Sequence, residues 1–181
     1  MIVILFQSIL FMVPAYFANM VPSLTRNLNF LNYPVDFRFR LGKKRIFGNH
    51  KTFRGFFFGI LSSVICIYIL RYFYVNFTFV QNLSLIDYTA YNPFFLGFLF
   101  GFGALFGDLI ESFFKRRLNV KPGKPLVFFD QSDYVIGTLL LVSFVYVPTL
   151  IHVFAMFVLS TTLHFLTVFI GYHLRLSPVK I

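Results

Sequence analysis

Charge is scarce in this chain, and acid scarcer still. Only 12% of the 181 residues are charged, and six Asp and Glu stand against 16 Lys and Arg. Hydrophobic residues make up 58%, with 29 phenylalanines, and the mean hydropathy is +0.78. Too little polar surface remains to coat a water-soluble domain, so the composition points to an integral membrane protein with a single domain over residues 1–181. Cysteine is almost absent. Cys66 stands alone in an apolar run, which excludes an internal disulfide framework and reads as a packing residue. Zinc-ligand spacing, a Walker loop, a nucleophile elbow and internal repeats are also missing. The net charge of +10 would by itself suit nucleic acid. Here the basic residues lie between apolar segments, so the expected anionic partner is a phosphorylated lipid or a nucleotide at the membrane surface, not nucleic acid.

Crossing a hydrocarbon core of about 30 Å takes roughly 20 helical residues. Five segments qualify, at about 1–21, 55–75, 93–114, 134–151 and 153–172. The first contains Pro14 but no charge and no basic region before it, so it is expected to stay in place rather than act as a cleaved signal. The third opens at Asn92-Pro93, a capping residue followed by proline at the first helical position. The fourth is short and contains Pro148. The expected fold is therefore an all-α bundle of five transmembrane helices in the cell membrane.

Orientation follows from the loops that retain Lys and Arg. Residues 23–54 carry Arg26, Arg38, Arg40, Lys43, Lys44, Arg45, Lys51 and Arg54, and residues 114–134 carry Lys115, Arg116, Arg117, Lys121 and Lys124. Arg175 and Lys180 follow the last span. With five spans these regions share the cytoplasmic side, which leaves the amino terminus outside. The acids repeat the asymmetry: Asp36, Asp108, Glu111, Asp130 and Asp133 fall on the cytoplasmic side or its membrane edge, and only Asp87 falls outside. A face that collects both cations and carboxylates reads as a reaction face.

Asp108 and Glu111 are three residues apart, which sets them on one helical face. Counting back from Lys115 at the interface, Asp108 lies roughly 10 Å deeper. A carboxylate at that depth is costly, which marks it as a functional candidate. The plainer alternative is that Glu111 pairs with Lys115 one turn on, while Asp108 pairs with an arginine or reaches back to the interface. Asp130 and Asp133 repeat the spacing before the fourth span, where aspartate is also a good helix cap. Two such pairs suit a hard divalent cation such as Mg2+, which takes carboxylate, phosphate and water oxygens. The basic stretches GKKRIFGNHKTFRG (42–55) and KRRLNVKPGK (115–124) flank the carboxylates. Cations beside a magnesium site are what phosphoryl or nucleotidyl transfer requires. His50 lies in the first stretch, within reach of phosphate. His152 and His164 sit in apolar segments and read as packing or hydrogen-bonding residues. Asn19 reads either as buried polar contact or as a contact to a bound base. Asp36 has no assigned role beyond a salt bridge to Arg38 or Arg40.

GDLIESFFKR (107–116) resembles the G-D-x-x-x-S-x-x-K-R core of the CTP:phosphatidate cytidylyltransferase superfamily, through Gly107, Asp108, Ser112, Lys115 and Arg116. The bacterial and eukaryotic enzymes continue with Lys-Asp and a later His-Gly-Gly, whereas this chain reads KPGKPLVFFDQSDYVIG. That departure resembles the archaeal branch, the CDP-archaeol synthases, as do PAYFANMVP (14–22), PVDF (34–37) and RIFGNHKTFRG (45–55). The resemblance implies Mg2+-dependent transfer of CMP from CTP to the phosphate of an unsaturated archaetidic acid. It implies Asp108 and Asp130 as principal metal ligands, Glu111 and Asp133 as supporting ones, and Asp108, Asp130 and Lys115 as the catalytic set. Asn19, His50, Lys51, Arg54, Ser112, Arg116, Arg117, Lys121 and Lys124 are the expected contacts to CTP and phosphate. The same reaction on diacyl phosphatidic acid is the rival, because headgroup motifs do not read the chains. A small anion transporter is a more distant one, and it would spread charge along a transmembrane path. So small a bundle is also compatible with a homodimer.

Overall fold

The structure is a computed structural model and describes residues 1–120 and 131–173. Lys121, Lys124 and Asp130, together with Arg175 and Lys180, lie outside the described residues, as does the side chain of His164. Among the described residues six helices follow one another: α1 (Ile2–Leu24), α2 (Phe53–Asn76), α3 (Thr78–Leu83), α4 (Pro93–Arg117), α5 (Asp133–Val142) and α6 (Leu150–His173). Helices α1, α2 and α4 have 23, 24 and 25 residues and are apolar enough to cross a membrane. The helical ends are set locally. Asn92 Oδ1 accepts from the N–H groups of Phe94 at 2.9 Å and Phe95 at 3.3 Å, the cap expected from Asn92-Pro93. Thr52 caps α2 by accepting from Gly55 N–H at 3.3 Å. Each such cap stabilises its helix by about 1 kcal/mol.

Helix–helix packing depends on two glycine stripes along α4. A Cβ at Gly97 would lie 2.5 Å from Val64 Cα, and one at Gly101 would lie 2.9 Å from Ile60 Cα, so this stripe seats α2. The second stripe, Gly103 and Gly107, seats α5. A Cβ at Gly103 would sit 2.8 Å from the Gly137 carbonyl oxygen, and one at Gly107 would overlap the carbonyl of Asp133. Both stripes use the four-residue spacing of small residues that lets membrane helices meet backbone to backbone. On the far side of α2, the Ala18 carbonyl lacks its usual helical donor because Pro22 has no N–H, and it lies against Gly59. These contacts run antiparallel for α1/α2, α2/α4 and α4/α5. The core between them includes Phe11, Met12, Ile67, Leu96, Phe100, Val135, Val142 and Met156. Cys66 is buried there, as a packing residue should be.

Two features depart from the expected bundle. Helix α5 stops at Val142 rather than continuing toward residue 151, and residues 146–149 have no regular structure. Pro148 accounts for this. It offers no N–H to the ladder and disfavours helical geometry at Val147 before it. Ten residues make about 15 Å of helix, half a hydrocarbon core. The loop before α2 also contains a small antiparallel ladder, β1 (Arg40–Leu41) and β2 (Lys44–Arg45), turned at Gly42 with φ of +65°. No apolar alternation announces so short a pairing.

Candidate active site

The ladder and the acids meet at one end of the bundle. Asp36 organises the loop. Its carboxylate is wholly buried and accepts from Arg45 Nη2 at 2.5 Å, Arg45 Nε at 3.2 Å, and the N–H groups of Arg38 at 3.0 Å, Phe47 at 3.1 Å and Gly48 at 3.1 Å. Burial alone would raise the Asp36 pKa. The Arg45 guanidinium and the three N–H donors outweigh it and hold the carboxyl below the usual carboxylate value. The residue left unassigned in the sequence is thus the hub of the loop. The base of the loop closes where Val35 N–H donates to the Lys51 carbonyl at 2.9 Å and Phe53 N–H to that of Tyr33 at 3.0 Å. The ladder is pinned to the end of α4: Lys44 Nζ donates to the Arg117 carbonyl at 2.9 Å, and Arg117 Nη1 to the Leu41 carbonyl at 3.0 Å.

So held, the loop delivers Lys51 to α4. Its ammonium donates to both carboxylate oxygens of Asp108, each at 2.5 Å. One turn on, Lys115 pairs with Glu111 at 2.8 Å, as the plainer reading of Glu111 expected. The partner of Asp108 is a lysine rather than an arginine. Asp133 comes from α5, whose first turn is pressed against α4 at Gly107. One carboxylate oxygen from each of Asp108, Glu111 and Asp133 lies within 4.8 Å of the others. Glu111 and Asp133 are buried and Asp108 is half-buried. Asp133 does not cap α5; that position belongs to Ser132, and Asp133 Oδ1 accepts from Tyr134 N–H at 2.7 Å.

Three carboxylates are thus gathered with two ammonium groups in one largely buried cluster. Their all-oxygen donor set fits a hard divalent cation and would suit zinc or copper less well. The first turn of α5 is fixed from behind. Tyr134 OH and Ser160 Oγ hydrogen-bond one another, and Ser160 Oγ donates to the Gln131 carbonyl.

The remaining expected contacts divide by position. Ser112 is buried one residue beyond Glu111, Arg116 and Asn19 are half-buried, and His50 is exposed beside Lys51. Arg54 and Arg117 have backbone partners. Arg54 is buried and donates through Nη1 to the Leu28 carbonyl, while Arg117 reaches the carbonyls of Leu41, Lys44 and Arg45. Sequence reasoning named Gly107 only as part of a motif and missed Gly103 and Gly137; without these three α5 could not approach. The four-residue spacing of Gly103 and Gly107 was the available signal. His152 fulfils its expected hydrogen-bonding role at the opposite end, with Nδ1 2.7 Å from Thr149 Oγ1 and Nε2 3.1 Å from Gln7 Oε1.

Known proteins resemble this chain in both sequence and fold. A solved structure described as an intramembrane enzyme for archaeal membrane lipid biosynthesis superposes with a TM-score of 0.70 at 25% identity, covering 88% of this chain and 90% of its own. The CDP-archaeol synthase of Methanococcus maripaludis strain C7 is 36% identical over 99% of this chain and 98% of its own length. Those of Thermofilum pendens and Pyrococcus furiosus are 35% and 34% identical over 96% and 93% of this chain, and 79% and 93% of their own. The family model described as CarS-like, CDP-archaeol synthase, matches residues 1–181, and the chain belongs to that family.

Proposed function

We propose that this protein transfers CMP from CTP to the phosphate of an archaeal ether lipid, unsaturated archaetidic acid, giving CDP-archaeol and pyrophosphate on the cytoplasmic side of a membrane that it spans five times, residues 143–149 completing the crossing that α5 begins. The observation that carries the reading is the Asp108, Glu111 and Asp133 cluster beside Lys51 and Lys115, at the end of a membrane-length helix in a chain of this family. Those three carboxylates would hold Mg2+, with Asp130 as a fourth candidate, and the ion when bound would draw charge from the phosphate oxygens of CTP.

The chain's own residues do the rest. Lys51, Lys115, Arg116 and His50, with Lys121 and Lys124, neutralise and orient the triphosphate, and Ser112 and Asn19 offer neutral polar contacts. Arg54 and Arg117 act at one remove, by holding the loop that carries Lys51. The lipid phosphate is already a nucleophile, so it attacks the α-phosphorus directly and pyrophosphate leaves, with no covalent enzyme intermediate. Gathering both anions at one cationic face supplies positioning and charge neutralisation, the main requirements of such a transfer.

The test is CMP transfer from labelled CTP by purified protein with Mg2+, offering archaetidic acid and diacyl phosphatidic acid in parallel. Product on the archaeal lipid alone is expected. Product on the diacyl lipid would move the substrate and keep the chemistry. Product on neither, with an active family member as control, would overturn the reading.

A further inference from the structure

The apolar exposure of α1, α2 and α4 needs no partner beyond lipid chains. The loop between α1 and α2 is different, because its exposed residues mix aromatics with cations. Phe37, Phe39 and Leu41 are 56%, 65% and 57% exposed. Arg38 and Arg40 between them, and Lys43 just after, are exposed as well. The only acid between residues 25 and 54 is Asp36, which is buried and neutralised by Arg45. This surface therefore carries positive charge with no acid to balance it.

The backbone holds these side chains outward at a cost. Phe37 and Arg38 both adopt left-handed conformations, with φ of +48° and +64°. Such geometry is unfavourable for residues other than glycine and persists only where its surroundings enforce it. Asp36 enforces it here, since its carboxylate takes the N–H of Arg38 together with those of Phe47 and Gly48. Lys44 and Arg117 set the height of the ladder by tying it to the last turn of α4, where Lys115, Arg116 and Arg117 cluster. Basic residues at a helix end mark the level of the lipid headgroups. Aromatic and aliphatic side chains alternating with Arg and Lys at that level match the two halves of an interfacial anchor: apolar groups that enter the headgroup boundary and cations that meet anionic lipid.

We infer that the β1–β2 ladder and the turn before it form a foot resting on the bilayer surface, binding anionic phospholipid headgroups through Arg38, Arg40 and Lys43 and inserting Phe39 and Leu41 beside them. The foot holds the Lys51 loop at the membrane surface. It also enriches anionic lipid next to Asp108, whatever reaction that site performs.

The sequence contains no tryptophan, so one introduced indole reports alone. The full chain carrying Phe39→Trp, or separately Leu41→Trp, would be reconstituted into vesicles of phosphatidylcholine alone or of phosphatidylcholine and phosphatidylglycerol in equal parts. In the anionic vesicles, blue-shifted emission is expected, quenched by brominated lipid chains and shielded from iodide. High salt and the triple change Arg38→Ser, Arg40→Ser, Lys43→Ser should both reverse it. Each cation removed should lower the ratio of docked to lifted foot about fivefold. Emission that stays red and open to iodide in both vesicles, at both positions, would overturn the inference. So would blue emission indifferent to brominated lipid and to headgroup charge, which would place a second copy or a soluble protein on the foot. The fluorescence requires no turnover, so this result stands apart from that of the transfer assay.

Discussion

Two groups of carboxylates occupy the same end of this molecule under opposite conditions. Asp36 is surrounded by donors supplied by its own loop, and its charge is met by the Arg45 guanidinium and three backbone N–H groups. Asp108, Glu111 and Asp133 come from two helices and face one another, with Lys51 paired to the first and Lys115 to the second. The first arrangement is complete in itself and fixes a shape. The second sets three carboxylates from two separate elements side by side, an all-oxygen cluster of the kind that suits a hard cation. Burial of an acid therefore does not by itself identify function. The origin of its partners does.

Four changes would test that contrast, in descending order of effect. Asp108→Asn should lower CMP transfer by about a thousandfold, on the order of losing one strong electrostatic contact to the transition state. Its thermal midpoint in detergent should hold, because the site residue is not what folds the chain. A variant that unfolds instead would place Asp108 with Asp36. Asp36→Asn should do the reverse and cost about 3 kcal/mol of stability, since it leaves Arg45 without its counter-charge. The pH dependence follows from the sign of the shift. The folded carboxyl titrates below its unfolded value of about 3.9, so its contribution is fully present above that value and is lost as pH falls through the folded pKa. The gap in thermal midpoint between the parent and Asp36→Asn should therefore be constant at neutral pH and close in acid. A gap that widened in acid would contradict the assignment.

Gly107→Ala would force a methyl against the Asp133 carbonyl and part α4 from α5, costing about 2 kcal/mol. Activity should fall further than stability explains, because Asp133 moves away from Asp108. Activity measured well below the melting point separates the two. The smallest effect belongs to Tyr134→Phe, which removes one hydroxyl from the Ser160 contact while leaving the Ser160 bond to the Gln131 carbonyl in place. A loss of about 1 kcal/mol of stability, read from the lowered thermal midpoint, and a few-fold in rate are expected.

Much of the site was legible because it is local. The Asn92 cap, the Asp108–Glu111 face and the Glu111–Lys115 pair follow from helical spacing alone, and the motif at 107–116 carried its family with it. Asp36 was not legible. Its nearest arginines in sequence, Arg38 and Arg40, suggested the obvious salt bridge, yet the loop turns back through left-handed residues and brings Arg45 instead. Charge is all that sequence displays of Arg54 and Arg117, and their bonds to the backbone carbonyls of the loop were not legible in it. The early end of α5 was foreshadowed by Pro148, although a hydropathy window averages over such breaks.

The sequence by itself determined the medium, the long helices and the side on which cations and acids gather, since composition and helical period act within one segment. The meeting of Asp133 with Asp108 and of Lys51 with Asp108 was decided only by tertiary structure. Both depend on distances between segments. The first is set by how closely a backbone may approach Gly107, and the second by how one buried aspartate folds the loop around itself.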